Sequence, residues 1–284
     1  MGTGFGHRLV EAGDKYGRLC VGIDPHETLL VSWGLSPDVK GLREFSLRCA
    51  EAFSGHVALI KPQVAFYERF GSAGFAVLEE TISALRGDSL VVADAKRGDI
   101  GSTMQGYAYA WLDDSSPLSC DAVTLTPYLG VGSLQPAIEM AGREGRGVFI
   151  MAANSNPEAE ALQSRTLLDD GDGAPSTPSD TAQAPTLAQF MVDECARLNE
   201  VPGIGHVGVV VGATVKTPPV LDHLNGPVLM PGVGAQGATL EDVTRIAGAN
   251  AHLVFPNVSR SVLSAGPDVA ELRKRAVELA KHVI

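Results

Sequence analysis

Short runs rich in Val, Ile and Leu recur along this 284-residue chain, and most are followed by a stretch with helical spacing. The runs fall at 19–23, 57–60, 90–93, 122–125, 147–151, 207–211, 228–230 and 253–255. Helical patterns fall at 37–53, 75–85, 134–141, 187–198, 240–246 and 269–282, with Ser36-Pro37 reading as an N-cap and a first-turn proline. Strands that are apolar nearly throughout need cover on both faces, which points to a parallel sheet flanked by helices. Eight such units predict an α/β chain folded as a (β/α)8 TIM barrel, with residues 1–284 as one domain. Such barrels take about 250 residues. A doubly wound open sheet is the competing arrangement, and the pattern alone leaves it open.

One segment breaks the alternation. Residues 163–186 read QSRTLLDDGDGAPSTPSDTAQAPT, rich in Asp, Gly, Pro, Ser and Thr. Little in it can be buried to offset the entropy of ordering it, so it reads as a flexible insertion after the fifth strand. The alternation resumes afterwards, so no domain boundary is needed.

Charge and composition exclude several classes. The net charge of −11 argues against a nucleic-acid partner or an anionic membrane surface. The four cysteines are far apart with no C-x-x-C pair, which fits a reduced, cytoplasmic protein better than a disulfide framework. The N-terminal stretch has no apolar core of signal-peptide length, and the run around VGVVVGATV is too short to span a bilayer. The seven histidines are scattered, so no metal site of recognisable spacing is expected.

In a barrel, chemistry sits at the C-terminal ends of the strands. In this chain Asp24 follows the first run, Lys61 the second, and Asp94 and Lys96 the third. The fifth leads to Asn154-Ser155-Asn156, the seventh to PGVGAQG, and the eighth to Asn257-Val-Ser-Arg260. A charge directly after a buried run must be paired or functional, because an isolated buried charge costs several kcal/mol. Asp94 and Lys96 are two apart and share a face of one strand. A structural salt-bridge network closing the barrel is the plain alternative. Gly232, Gly234 and Gly237 match G-x-G-x-x-G, but late in the chain and with no following carboxylate for a ribose, so phosphate capture is the better reading. Arg260 is placed to clamp that phosphate. A lysine among carboxylates beside a phosphate grip suits acid–base or carbanion chemistry on a small phosphorylated molecule.

These residues resemble a known family. Asp94-Ala-Lys96-Arg-Gly-Asp99-Ile100 is similar to the D-x-K-x-x-D-I signature of orotidine 5′-phosphate decarboxylases. The segments VGIDP, IKPQVAFYE, NSNP, VVVGAT, PGVGAQG and NVSR resemble the second bacterial branch of that family. The resemblance implies decarboxylation of orotidine 5′-phosphate to UMP and CO2, without a cofactor, in pyrimidine biosynthesis. Lys61, Asp94, Lys96 and Asp99 match the family's charged tetrad, with Lys96 implied as proton donor to C6 and Asp94 against the departing carboxylate. Asp24 and Lys61 are implied on ribose hydroxyls, Ser155 on the pyrimidine edge, and Gln236 and Arg260 on the phosphate. Asp99, with Thr103 beside it, is implied to serve the site of a partner subunit in a homodimer. Two other readings remain at this point. One is a magnesium-dependent sugar-phosphate lyase, whose relatives carry a glutamate where this chain has Lys61. The other is a non-catalytic nucleotide-binding barrel.

Overall fold

A computed structural model describes residues 4–167, 184–234 and 237–283. Its strands are β1 (Cys20–Ile23), β2 (Leu59–Pro62), β3 (Leu90–Arg97), β4 (Ala122–Leu125), β5 (Gly147–Ala153), β6 (Val207–Val211), β7 (Val228–Pro231) and β8 (Val254–Val258). All neighbours pair in parallel, and β8 pairs back onto β1. The sheet is therefore a closed eight-stranded barrel, and the open-sheet alternative is removed.

The core has two parts. Inside the barrel, each strand contributes one buried apolar side chain to an inner cluster: Cys20, Leu59, Val92, Ala122, Phe149, Val210, Leu229 and Phe255. The opposite face of each strand, including Val21, Ile60, Val91, Val123 and Val209, packs under the outer helices. This two-sided burial explains why the strands read as continuous apolar runs. Layers of bulky side chains make the interior a packed core with its open mouth at the strand C-termini.

A helix over Phe5–Tyr16, absent from the sequence expectations, closes the other end. Its Phe5 and Leu9 are fully buried in the inner cluster. The Phe5 ring meets Phe149 edge-on, with centroids 6.0 Å apart. It also lies so close to Gly147 that a Cβ there would sit 2.1 Å from the ring. The barrel floor is thus sealed by an aromatic that requires a glycine beneath it.

Other boundaries shift for local reasons. The helix expected from Pro37 begins at Val39, because Asp38 rather than Ser36 caps it, its carboxylate accepting the Gly41 N–H at 2.9 Å. The run expected at 57–60 becomes Leu59–Pro62, because Gly22 pairs with Lys61 and Ile23 with Pro62. Lys61 is therefore inside a strand. The segment expected as an insertion at 163–186 is described only at its two ends. Gln163 ends the helix Pro157–Gln163, and Thr166 bridges antiparallel to Thr186. Residues 168–183, the greater part of that expected flexible segment, lie outside the described residues. Among the described residues, no helix is long and apolar enough to cross a membrane, and no cluster of His, Cys, Asp or Glu has metal-holding geometry.

Candidate active site

A cavity of about 300 Å³ opens at the C-terminal mouth of the barrel. Asp24, Lys61, Asp94, Lys96, Ser155 and Arg260, each expected at the site, all line it. Met151, Val210 and Leu229 give it an apolar floor.

Asp94 is the hub of its charged side. One carboxylate oxygen accepts from Lys61 Nζ at 2.8 Å and Gln63 Nε2 at 2.8 Å. The other accepts from Lys96 Nζ at 2.5 Å and Thr124 Oγ1 at 3.0 Å. Burial acts to raise the pKa of this carboxyl, but the Lys61 and Lys96 ammonium groups outweigh it and hold Asp94 well below the usual carboxylate range. Lys61 is the converse case. Burial acts to lower its pKa, but Asp94 and Asp24 outweigh that and push it above the ordinary lysine value. Asp24 Oδ1 stands 3.9 Å from Lys61 Nζ and has no hydrogen-bond partner among the described residues.

Exposure separates the two lysines. The Lys61 side chain is 5% exposed, whereas that of Lys96 is 43% exposed. Lys61 lies beneath the array, and Lys96 presents its Nζ to the open cavity. The sulfur deeper in the barrel does not compete as a nucleophile, because burial pushes the Cys20 thiol up to about 12.

The other side of the cavity is built from β7 and β8. Gly232, Val233, Ser259 and Arg260 line it. Gly232, Gly234 and Gly237 all have positive φ, which explains the glycine spacing as a tight turn after β7. Gln236, expected within this turn, lies outside the described residues.

Two expected residues are not brought to this cavity. Asp99 follows β3, and its Oδ1 accepts the Ile100 N–H at 2.7 Å. Thr103 lies exposed in the first turn of the helix Gly101–Leu112. Neither lines the cavity of its own chain. Sequence reasoning missed Gln63 and Thr124. Their signal was alternation: Gln63 is two residues beyond Lys61, and Thr124 interrupts the apolar run of β4.

The model of the orotidine 5′-phosphate decarboxylase / HUMPS family matches residues 17–275. This chain belongs to that family. It is similar over 282 residues to orotidine 5′-phosphate decarboxylases from Corynebacterium efficiens, at 59% identity, and Corynebacterium glutamicum, at 57%. These matches cover 97% of this chain and 95% and 96% of those proteins. Its fold is similar to a crystal structure from Streptomyces avermitilis, itself named provisionally as an orotidine 5′-phosphate decarboxylase. The TM-score is 0.90 at 48% identity, covering 99% of this chain and 95% of that one. It is also similar to the OMP decarboxylase of Leishmania donovani, with TM-score 0.72 at 28% identity, covering 99% and 98% of the two chains.

Proposed function

We propose that this chain catalyses the decarboxylation of orotidine 5′-phosphate to UMP and CO2, a step of pyrimidine biosynthesis. The observation that carries the reading is the Lys96–Asp94–Lys61 array sharing one cavity with Gly232 and Arg260, in a family member of this similarity.

The chemistry follows from the array. The bond between C6 of the pyrimidine and its carboxylate breaks, CO2 leaves, and the electron pair stays at C6. Lys96 Nζ donates its proton there and is reprotonated from solvent. The Lys96 charge stands where negative charge develops. A unit charge pair at about 4 Å is worth about 4 kcal/mol at an effective dielectric near 20. Asp94 and Lys61 hold that ammonium in place before substrate arrives, so little reorganisation accompanies the reaction. Asp24 and Lys61 take the ribose hydroxyls, Ser155 the pyrimidine edge, and Arg260 with Gln236 the phosphate. A magnesium-dependent lyase fits this donor set poorly, because the Asp94 carboxylate is already engaged by two ammonium groups.

Asp99 and Thr103 complete the site of a second subunit in this reading, and neither lines the cavity of its own chain. The enzyme is then a homodimer with shared sites, working in the cytoplasm, where its buried thiols stay reduced.

Incubation of the purified protein with orotidine 5′-phosphate tests the reaction, with UMP and CO2 expected in equal amounts. Binding of UMP without any turnover would favour a non-catalytic barrel instead. The phosphate role has its own check. Arg260→Ala is expected to weaken UMP by at least about tenfold, through loss of a charge-assisted contact, and uridine hardly at all. Isothermal titration of both ligands measures this, and equal weakening would remove Arg260 from the phosphate site.

A further inference from the structure

Lys96 is held in an unusual backbone conformation. Its φ is +48°, and Asn225 is the only other residue besides glycine with positive φ among the described residues. A lysine there is strained and persists only where its surroundings enforce the geometry. The enforcement comes from β4. Ala93 pairs with Val123 and Arg97 with Leu125, so four steps along β3 match two along β4. Lys96 lies in this bulge and has no register partner on β4. Two threonine side chains take the place of one. Thr124 Oγ1 accepts the Lys96 N–H at 2.9 Å, and Thr126 Oγ1 donates to the Lys96 carbonyl at 3.2 Å. The Thr126 N–H donates to the Arg97 carbonyl at 2.8 Å. The Thr126 carbonyl lies against Gly98, where a Cβ would approach it to 2.3 Å.

We infer that Thr124 and Thr126 form a clamp that positions Lys96 for proton transfer, with Thr124 also fixing Asp94. The same Thr124 hydroxyl that accepts from the Lys96 backbone donates to Asp94 Oδ1, the oxygen that binds Lys96 Nζ. One hydroxyl therefore ties the lysine's backbone to the carboxylate that aims its side chain. Thr124 is 1% exposed where it borders the cavity, and removing its hydroxyl takes the acceptor from the Lys96 N–H and a donor from Asp94. The inference rests on the reading of Lys96 as the proton donor. Thr124 and Thr126 are positioning residues: they act through Lys96.

The test compares kcat and KM for orotidine 5′-phosphate in Thr124→Val, Thr124→Ser and Thr126→Val, with Lys96→Ala as the control. Val keeps the shape and removes the hydroxyl. A misplaced proton donor is expected to cost about a hundredfold in kcat. KM is expected to stay within about threefold, because the substrate-binding groups remain. Thr124→Ser restores the hydroxyl and is expected to recover most of kcat. Wild-type kcat in Thr124→Val alongside an inactive Lys96→Ala would overturn the clamp and leave the proton donor standing. Equal losses in the Val and Ser variants would also overturn it, by assigning Thr124 a packing role. If Thr124→Val does not fold, Thr126→Val decides. Its side chain is only half-buried. A fall in kcat with KM unchanged supports the clamp, and unchanged kcat overturns it. High turnover in Lys96→Ala would instead reject the underlying assignment of Lys96.

Discussion

Replacing Lys96 with Ala is expected to lower turnover by about 10⁴-fold or more while the barrel stays folded. Two losses combine. A positioned general acid contributes about 10²–10⁴-fold, and a preorganised charge aimed at the developing anion a further 10²–10³-fold. Folding survives because the Lys96 side chain is 43% exposed at an open mouth. Asp94 keeps Lys61, Gln63 and Thr124 as donors after the change. The measurements are kcat at saturating substrate, circular dichroism and melting temperature. A folded variant with near-wild-type kcat would remove Lys96 from the mechanism. Lys61→Ala is a different experiment. It takes away a buried cation shared by Asp94 and Asp24, so stability and activity should fall together.

Mixing two inactive variants is expected to restore activity. In the proposed homodimer each site takes Lys96 from one chain and Asp99 from the other. Lys96→Ala and Asp99→Ala homodimers are then each nearly inactive. A heterodimer carries one doubly altered site and one wholly intact site. Random pairing of equal amounts makes about half the dimers mixed, so about a quarter of all sites should work. Differently tagged chains verify that heterodimers form. Heterodimers whose activity stays at the single-variant level would return Asp99 to its own barrel, as a residue that bonds only the start of its own helix. The observation behind this prediction is that Asp99 and Thr103 do not line the cavity that Lys96 faces.

Much of the barrel was legible because its strands are buried on both faces. β4 and β6 were read to the residue, since AVTL and VGVVV are bounded sharply. β2 and β8 were misplaced at their ends because Lys61, Pro62 and Asn257 belong to the strands, although their polarity or ring argues against it. The helix Phe5–Tyr16 escaped notice because glycines at 6 and 13 dilute its pattern. Its few apolar positions matter only once a barrel floor exists to receive them. The helix Gly101–Leu112 was missed for a similar reason, with glycines at 101 and 106.

At the site, charges at strand ends were conspicuous because burial makes them costly. Gln63 and Thr124 were not, because each is ordinary in a strand. Their importance depends on register, which sets both against Asp94. Thr124 in particular answers a bulge in β3 that local sequence does not announce.

In the proposed mechanism this lysine–carboxylate array decarboxylates orotidine 5′-phosphate with the chain's own side chains. The most direct measurement is the initial rate of orotidine 5′-phosphate loss, followed by ultraviolet absorbance, for wild-type protein before and after thorough chelator treatment. The same rate is expected in both samples, with UMP as the product. No turnover, or turnover that returns only when a divalent cation is added back, would contradict it.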